Sequence, residues 1–436
     1  MVDGWADKLT GMKNYQKGIW ILLLSCGSIN LHAQESKIQF KNSLPAVRKD
    51  QLVELDRSYL EKKLGKKISQ FGVKLTGEGA PITLQYDDLD QDGTWDKLVF
   101  LLSFEAKQTI SLNMRDNGGD DIIIVNKAHV RQQRKLADDS FGPALDRDSV
   151  PAGQPNTDFS KAKLPPLLTE GPAWENDKVG FRIYMDVRNT KDIWGKTTTQ
   201  MMMDKVGVDP SVSYHHLDSW GMDILAVGKS LGAGSLALRV PVAGKADTLV
   251  RLGGVNMGKI VYRKIADGPV RAVFQLEYPE WNVLGDGKLT NLTERVSIWG
   301  GQFFYESKVF VKNAPKGAGL VTGIVNLKSN KSLDLSVDKA KVLYTFDKQS
   351  ENKDNLGMAI LVDKKELVSF GKTPNAQSAV LNTYTVQMKL PADEKGVTFR
   401  YYAGWERTDN RFATENGFKD FLMAEAGNFS SPIVVK

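Results

Sequence analysis

The 436-residue chain has one cysteine, Cys26, and four histidines. Cys26 falls in an N-terminal stretch expected to be removed, so the mature chain is expected to hold no thiol. That excludes disulfides, thiolate catalysis and cysteine-ligated metals. No later segment is long and apolar enough to cross a bilayer as a helix. There is no P-loop, no G-x-G-x-x-G after a strand and no G-x-S-x-G elbow, so nucleotide and serine-hydrolase chemistry have nothing to rest on. H-x-H and H-E-x-x-H are missing as well, and only His129 stands elsewhere in the mature chain to supply a third imidazole. A zinc or iron site lacks its ligand pattern. Internal repeats and low-complexity tracts are absent.

What is present reads as an exported globular protein. Hydrophobic residues make up 41% and charged residues 25%, which fits a packed core rather than a disordered chain. Met12-Lys13-Asn14-Tyr15-Gln16-Lys17 forms a basic segment, Ile19 to Leu24 an apolar run too short to span, and Leu31-His32-Ala33 a cleavage site. Residues 1–33 are expected to be a signal peptide with an upstream extension, Met12 being the better initiator. A lipoprotein signal ending at Cys26 is the alternative. The expected destination is the periplasm or the outside of the cell. Residues 1–33 carry three lysines and two aspartates, so their removal lowers the net charge from +6 to +5. That cationic bias suits anionic partners such as uronic or sulfated sugars. Nucleic acid is not expected, because the one basic run, Arg131-Gln132-Gln133-Arg134-Lys135, has no interleaved aromatics.

The 39 glycines and many short β-branched runs favour an all-β protein. Residues 36–116 read as a small β domain. Pro81–Tyr86 and Lys97–Leu102 are its strands, and a short helix is expected around Leu52, Leu55 and Tyr59. Residues 117–170 are polar and rich in Pro, Gly and Asp, so a linker or irregular connection is expected there. From 171 to 436, alternating runs such as Ala272-Phe274-Leu276 and Phe304-Glu306-Lys308-Phe310 recur between turns, predicting a large antiparallel β-sandwich. A helix is expected over 416–426, stopped by Gly427, before a final strand at 432–435.

Four constellations could carry chemistry. Asp88-x-Asp90-x-Asp92-Gly93, with Asp96, spaces carboxylates around a tight turn as calcium requires, but Val99 stands where an EF-hand places its glutamate. A lone calcium loop and a solvated Asp-rich turn both fit. Trp174, Glu175, Lys178 and Arg182 lie in one strand-like stretch, where Arg182 is placed to grip a substrate carboxylate and Trp174 to stack on a sugar ring. The plainer alternative is an Arg182–Asp186 ion pair on a structural face. Tyr214-His215-His216, followed by Asp218, Trp220 and Asp223, gathers half of the chain's histidines beside a phenol and carboxylates. If that segment is extended, the two imidazoles point to opposite faces and cannot share a metal, so a Tyr214–His215 proton-transfer pair fits better. Structural histidines bonded to backbone are the alternative. Tyr401-Tyr402-x-x-Trp405-Glu406-Arg407 suits either a sugar-binding rim or a core strand.

These stretches resemble a secreted bacterial family of unknown function, DUF4861. The matching segments are Glu170-Gly171-Pro172-x-Trp174-Glu175-x-Asp177-Lys178-Val179-Gly180-x-Arg182, Asp192-Ile193-x-Gly195-Lys196, Tyr214-His215, and Trp220-Gly221-Met222-Asp223-x-Leu225-x-Val227-Gly228-x-Ser230-Leu231-Gly232. The resemblance implies a galactose-mutarotase-like supersandwich and a role in polysaccharide use. It also implies a dehydratase on ulvan-type oligosaccharides that eliminates water from a terminal uronic acid.

The expected reaction is therefore β-elimination, with no cofactor required. His215 takes the C5 proton, Tyr214 protonates the departing C4 hydroxyl, and Arg182 or Lys178 neutralises the carboxylate. Trp174, Glu175, His216, Trp220 and Trp405 complete the expected substrate contacts. Three alternatives stay open: a polysaccharide lyase, a sugar epimerase or mutarotase, and a non-catalytic carbohydrate-binding protein.

Overall fold

Along Arg271–Trp281, Ala272, Phe274, Leu276 and Tyr278 turn to the main core while Arg271, Gln275 and Glu277 take the other face. This period-two pattern is what a strand with one apolar and one polar face requires. It repeats across the sheets of a computed structural model that describes residues 36–77, 80–116, 125–241, 247–373, 379–390 and 395–436. The expected signal segment, with Cys26 and His32, lies outside the described residues.

The largest sheet has nine strands. In order they are Leu333–Val337, Ala340–Asp347, Leu356–Asp363, Val397–Trp405, Phe304–Lys312, Thr290–Trp299, Arg271–Trp281, Ile260–Asp267 and Arg147–Val150. A five-stranded sheet packs against it, ordered Gly221–Asp223, Lys191–Lys196, Val179–Ile183, Ala173–Asn176 and Ala128–Arg131. Trp174 from this sheet meets Phe274 and Tyr305 of the nine-stranded one, with ring centroids 5.0 and 5.5 Å apart. A second five-stranded sheet, built on Gly319–Val325 and Thr383–Met388, extends the same core. The protein is all-β, with antiparallel sheets stacked as a large sandwich.

The N-terminal residues close a second core around Phe40, Val53, Leu98, Phe100 and Met114. The expected helix here begins later: Leu52 and Leu55 lie in the strand Arg48–Asp56, paired with Lys97–Phe104, and the helix is Arg57–Leu64. Pairing across the sheet outweighs the local helical spacing. The last strand, Val434–Val435, pairs with Phe40 and Lys41, so the C-terminus returns to this unit.

Where a linker or irregular connection is expected over 117–170, residues 117–124 lie outside the described residues, and the rest contributes two strands. Ala128–Arg131 pairs with Ala173–Asn176, and Arg147–Val150 pairs with Ile260–Arg263. Both strands are short and have partners far along the chain, so no local pattern announces them. The late helix runs Glu415–Ser430, capped by Thr414, and continues through Gly427. Its Phe418 packs on the glycine Cα of Gly357, where a Cβ would come within 2.4 Å of the ring. Among the described residues no helix is long and apolar enough to cross a membrane.

Candidate active site

The five-stranded sheet is buried on both faces. Trp174, Phe181, Ile183, Ile193 and Met222 enter the main core, and alternation sends Ala173, Arg182, Asp192, Trp194 and Asp223 to the outer face. Register then brings charges together. Arg182 sits opposite Asp192, and Trp194 opposite Asp223. The Asp223 strand approaches closely because Gly221, at φ 129°, has no side chain; a Cβ there would lie 1.8 Å from the Gly195 carbonyl oxygen. The connection over 197–220 lies on this outer face and packs Met203, Val206 and Trp220 against Ala173 and Trp194.

Arg182 is the centre of the cluster. Its Nη2 donates to Asp223 Oδ2 (2.6 Å), Asp192 Oδ2 (2.9 Å) and Tyr184 Oη (2.7 Å), and Tyr184 in turn donates to Asp192 (2.8 Å). The guanidinium lies 4.6, 4.8 and 5.4 Å from the ring centroids of Tyr184, Trp194 and Tyr214. Its side chain is 2% exposed. Burial works against the cation, but Tyr184, Asp223 and Asp192 outweigh it and hold the guanidinium firmly charged. Asp223 goes the other way: burial and the neighbouring Asp192 push its carboxyl well up despite Arg182.

Beside this cluster the backbone is strained. Thr169 and Glu170 have φ of 50° and 66°, a conformation side-chain-bearing residues rarely adopt. Two buried arginines hold the corner. Arg131 donates to Thr169 Oγ1 (2.8 Å) and to the carbonyls of Leu168, Gly171 and Met203, and Arg182 Nη1 reaches the Thr169 carbonyl. Arg188 ties Glu170 to Asp186 and lies 3.8 Å over the Tyr184 ring.

Tyr214 and His215 stand above the cluster in a turn, not the extended segment expected, so opposite-face alternation does not apply to His215 and His216. Tyr214 is half-buried; its Oη accepts from Arg182 Nη1 at 3.4 Å and its ring meets Trp194 at 5.2 Å. The His215 ring is 4.5 Å from the Tyr214 ring, with Nδ1 3.5 Å from Asp223 Oδ2. The His215 side chain is 61% exposed. Partial burial, with the Arg182 charge behind it, lowers the imidazole pKa and favours the neutral form. His216 is exposed beside it.

The remaining expected contacts are redistributed. Arg182 is not a free clamp for a substrate carboxylate, because Asp192, Asp223 and Tyr184 occupy its donors. Trp174 is fully enclosed between Phe181, Phe274 and Tyr305 and shows no ring face to a sugar. Glu175 is buried against Lys196 and accepts the N–H groups of Met202 and Met203 at 2.6 and 2.7 Å, which anchors the start of the covering connection. Lys178 lies in the bend before the strand Val179–Ile183 and turns toward Asp177. Trp220 is buried on Trp194, and Trp405 is buried with its indole N–H on Asp354 at 2.6 Å. Strong apolar burial, which aromatic side chains supply, explains all three tryptophans.

In the N-terminal hairpin, ligand oxygens of Asp88, Asp90 and Asp96 lie within 4.8 Å of one another. Asp92 departs from the expected set: its Oδ1 caps the Thr94 N–H at 2.7 Å. Asp88 accepts from Asp92 and Gly93, and Asp96 from Leu89, so these donors already close the turn. The Asp92 N–H lowers the Asp90 carboxyl pKa, but desolvation and the surrounding aspartates outweigh it and raise the value. The three carboxylates have the chemistry for a hard cation, and a solvated Asp turn explains the same hydrogen bonds.

Sequence reasoning missed Arg131, Asp192 and Thr169. Asp192 stood in a matched motif with no role, and Arg131 sat in a run read as linker. It weighed His129 only as a third imidazole for a metal, whereas its two ring nitrogens lie 3.1 Å from Asp267 and Asp204.

Comparison with known proteins places these residues in a wider group. The family model described as Domain of unknown function (DUF4861) matches residues 40–435. "Uncharacterized protein P7" of Formosa agariphila is 23% identical over 417 residues, covering 91% of this chain and 92% of that protein. Among solved structures, an alpha-mannosidase from Enterococcus faecalis V583 gives a TM-score of 0.47 at 8% identity, and a glycosyl hydrolase family 38 protein from Enterococcus faecalis gives 0.41 at 10%. Both cover 92% of this chain, which spans about half the length of either, 46% and 47%.

Proposed function

For a chain that belongs to the DUF4861 family, we propose a carbohydrate-active enzyme that eliminates water from the non-reducing-end uronic acid of an acidic oligosaccharide. The observation that supports it is the exposed, neutral His215 beside the Tyr214 phenol, both held over the buried Arg182–Asp223 pair. His215 takes the C5 proton. The electrons of that C–H bond form the C4=C5 double bond, the C4–O bond breaks, and Tyr214 donates its proton so that the hydroxyl leaves as water. Arg182 is a positioning residue here: it orients Asp223 and the Tyr214 hydroxyl without touching substrate. With Arg182 engaged and Lys178 turned away, the exposed His216 is assigned to meet the substrate carboxylate. No cofactor enters this scheme. The reading includes export to the periplasm or cell exterior, where such oligosaccharides are met.

The test is mass spectrometry with ultraviolet absorbance after incubating the protein with saturated, uronate-terminated oligosaccharides. Loss of one water with a new enol-carboxylate absorbance supports the dehydratase. Chain shortening would reassign the same chemistry to a lyase. Unchanged mass with altered anomeric or epimeric composition would point to a mutarotase or epimerase, and binding without turnover to a carbohydrate-binding protein.

A further inference from the structure

The nine-stranded sheet has a second, polar face, turned away from the core that holds Trp174. There the strands Arg271–Trp281, Thr290–Trp299, Phe304–Lys312 and Val397–Trp405 present Arg271, Arg295, Lys308 and Arg400. The N-terminal strand Arg48–Asp56 and the end of the helix Glu415–Ser430 wall this face in. The resulting cleft, open to solvent on one side, holds about 470 Å³, within the range of roughly 300–1,000 Å³ typical of small-molecule sites. Together with Arg48 and Lys97, six cations line it against three glutamates, Glu54, Glu306 and Glu425.

These cations are not equally engaged. Arg271 is held by Asp87 and Glu54, and Arg400 by Glu306 at 2.9 Å while it covers the rings of Trp299, Phe304 and Phe429. Among the described residues, Arg48 and Arg295 have no carboxylate ion-pair partner. Arg48 spends its donors on Gln51 and on the carbonyls of Asn428 and Ser431. Arg295 donates once, to Gln275 at 3.2 Å, and its Nε has no partner. Ser297, two residues on and on the same face, has an unpartnered buried hydroxyl. Burial, with a neighbouring arginine beside each, lowers the pKa of both groups. A buried guanidinium N–H and a buried hydroxyl without partners are costly unless something else completes them.

We propose that this cavity binds an acidic saccharide, a sulfated or carboxylated sugar whose anion is held by Arg295 and whose hydroxyls meet Ser297 and the neighbouring amides, with Lys308 at the rim. The required anion follows from the excess of cations, and the hydroxyl-rich ligand from Gln51, Gln302, Asn428 and Ser297 between them. The site lies on the opposite side of the sandwich from the His215 turn and stands independently of the reaction proposed there.

Calorimetric titration of the full chain tests it with four probes: a sulfated disaccharide, a glucuronate disaccharide, maltose and sodium sulfate. At least one acidic disaccharide is expected to bind tenfold or more tighter than maltose or sulfate, and to weaken as salt rises. Which acidic disaccharide wins identifies the anion. Arg295→Gln is expected to weaken that binding at least tenfold. Lys308→Gln, at an exposed position that leaves the fold intact, is expected to weaken it several-fold. His215→Ala should leave it unchanged. Equal binding of maltose, equal binding of sulfate alone, no binding of either acidic disaccharide, or undiminished affinity in Lys308→Gln together with a folded Arg295→Gln would overturn the proposal.

Discussion

His215 stands over Asp223, its Nδ1 3.5 Å from a carboxylate oxygen that also accepts from Arg182 at 2.6 Å. An exposed imidazole is thereby tied to a buried ion pair, and the pair is tied to the register of two strands. The turn that carries His215 is linked to the same strand by the bond from the Asp223 N–H to the Tyr214 carbonyl, 2.9 Å long.

Replacing His215 by Ala is expected to lower kcat/KM on a uronate oligosaccharide by on the order of 10²-fold or more, with an unchanged thermal midpoint. Tyr214→Phe keeps the ring against Trp194 and should show a comparable loss. Turnover close to wild type in either variant removes that side chain from the mechanism.

Activity should fall on acidification. The base must be neutral, and the lowered pKa of His215 keeps it neutral to below the ordinary value of about 6.5. The acidic limb of the kcat/KM profile is therefore expected below that pH. A limb centred above 6.5 would assign the base to another group.

Arg182→Ala leaves Asp192 and Asp223 buried without their cation and is expected to cost about 3–5 kcal/mol in urea unfolding. Asp223→Asn should cost clearly less, because burial and Asp192 already disfavour its charge. Equal costs would mean that Asp223 carries its charge in the folded protein.

His129 should make stability sensitive to alkali. Burial lowers its pKa, but the hydrogen bonds it donates to Asp204 and Asp267, and their charges, outweigh that and raise it to about 10, against about 6.5 unfolded. The folded state holds the proton more tightly, so this stabilisation is fully present below pH 6.5 and is lost as pH rises through about 10. Urea midpoints of wild type and His129→Gln should differ at pH 6 and converge above pH 10. A constant difference across that range would count against a charged His129.

Trp174→Ala is expected to cost about 3–5 kcal/mol, the range for emptying a buried aromatic site. Saccharide affinity of the folded fraction should not change. A selective loss of binding at full stability would restore Trp174 to the substrate.

Much of the fold was legible in residues with a regular period. Ala272-Phe274-Leu276 announces a half-buried strand because alternate side chains must face opposite ways. Arg131 and Arg147 were not legible as strand residues, since their strand partners lie far along the chain and their own surroundings are polar. The Tyr214-His215-His216 turn was visible as a cluster of proton-transfer groups, yet its nearness to Arg182 depends on a 32-residue separation closed by packing.

By itself, then, composition and periodicity determined an all-β chain with sparse histidine gathered at one place, because secondary structure and residue chemistry are local properties. Only the tertiary structure decided which charges are free. Trp174, Glu175 and Arg182 share a motif that reads as a binding face, but strand register buries all three and gives Glu175 and Arg182 partners from other strands of the sheet. Burial and pairing are set by what the rest of the chain brings against a residue, and no window around that residue contains it.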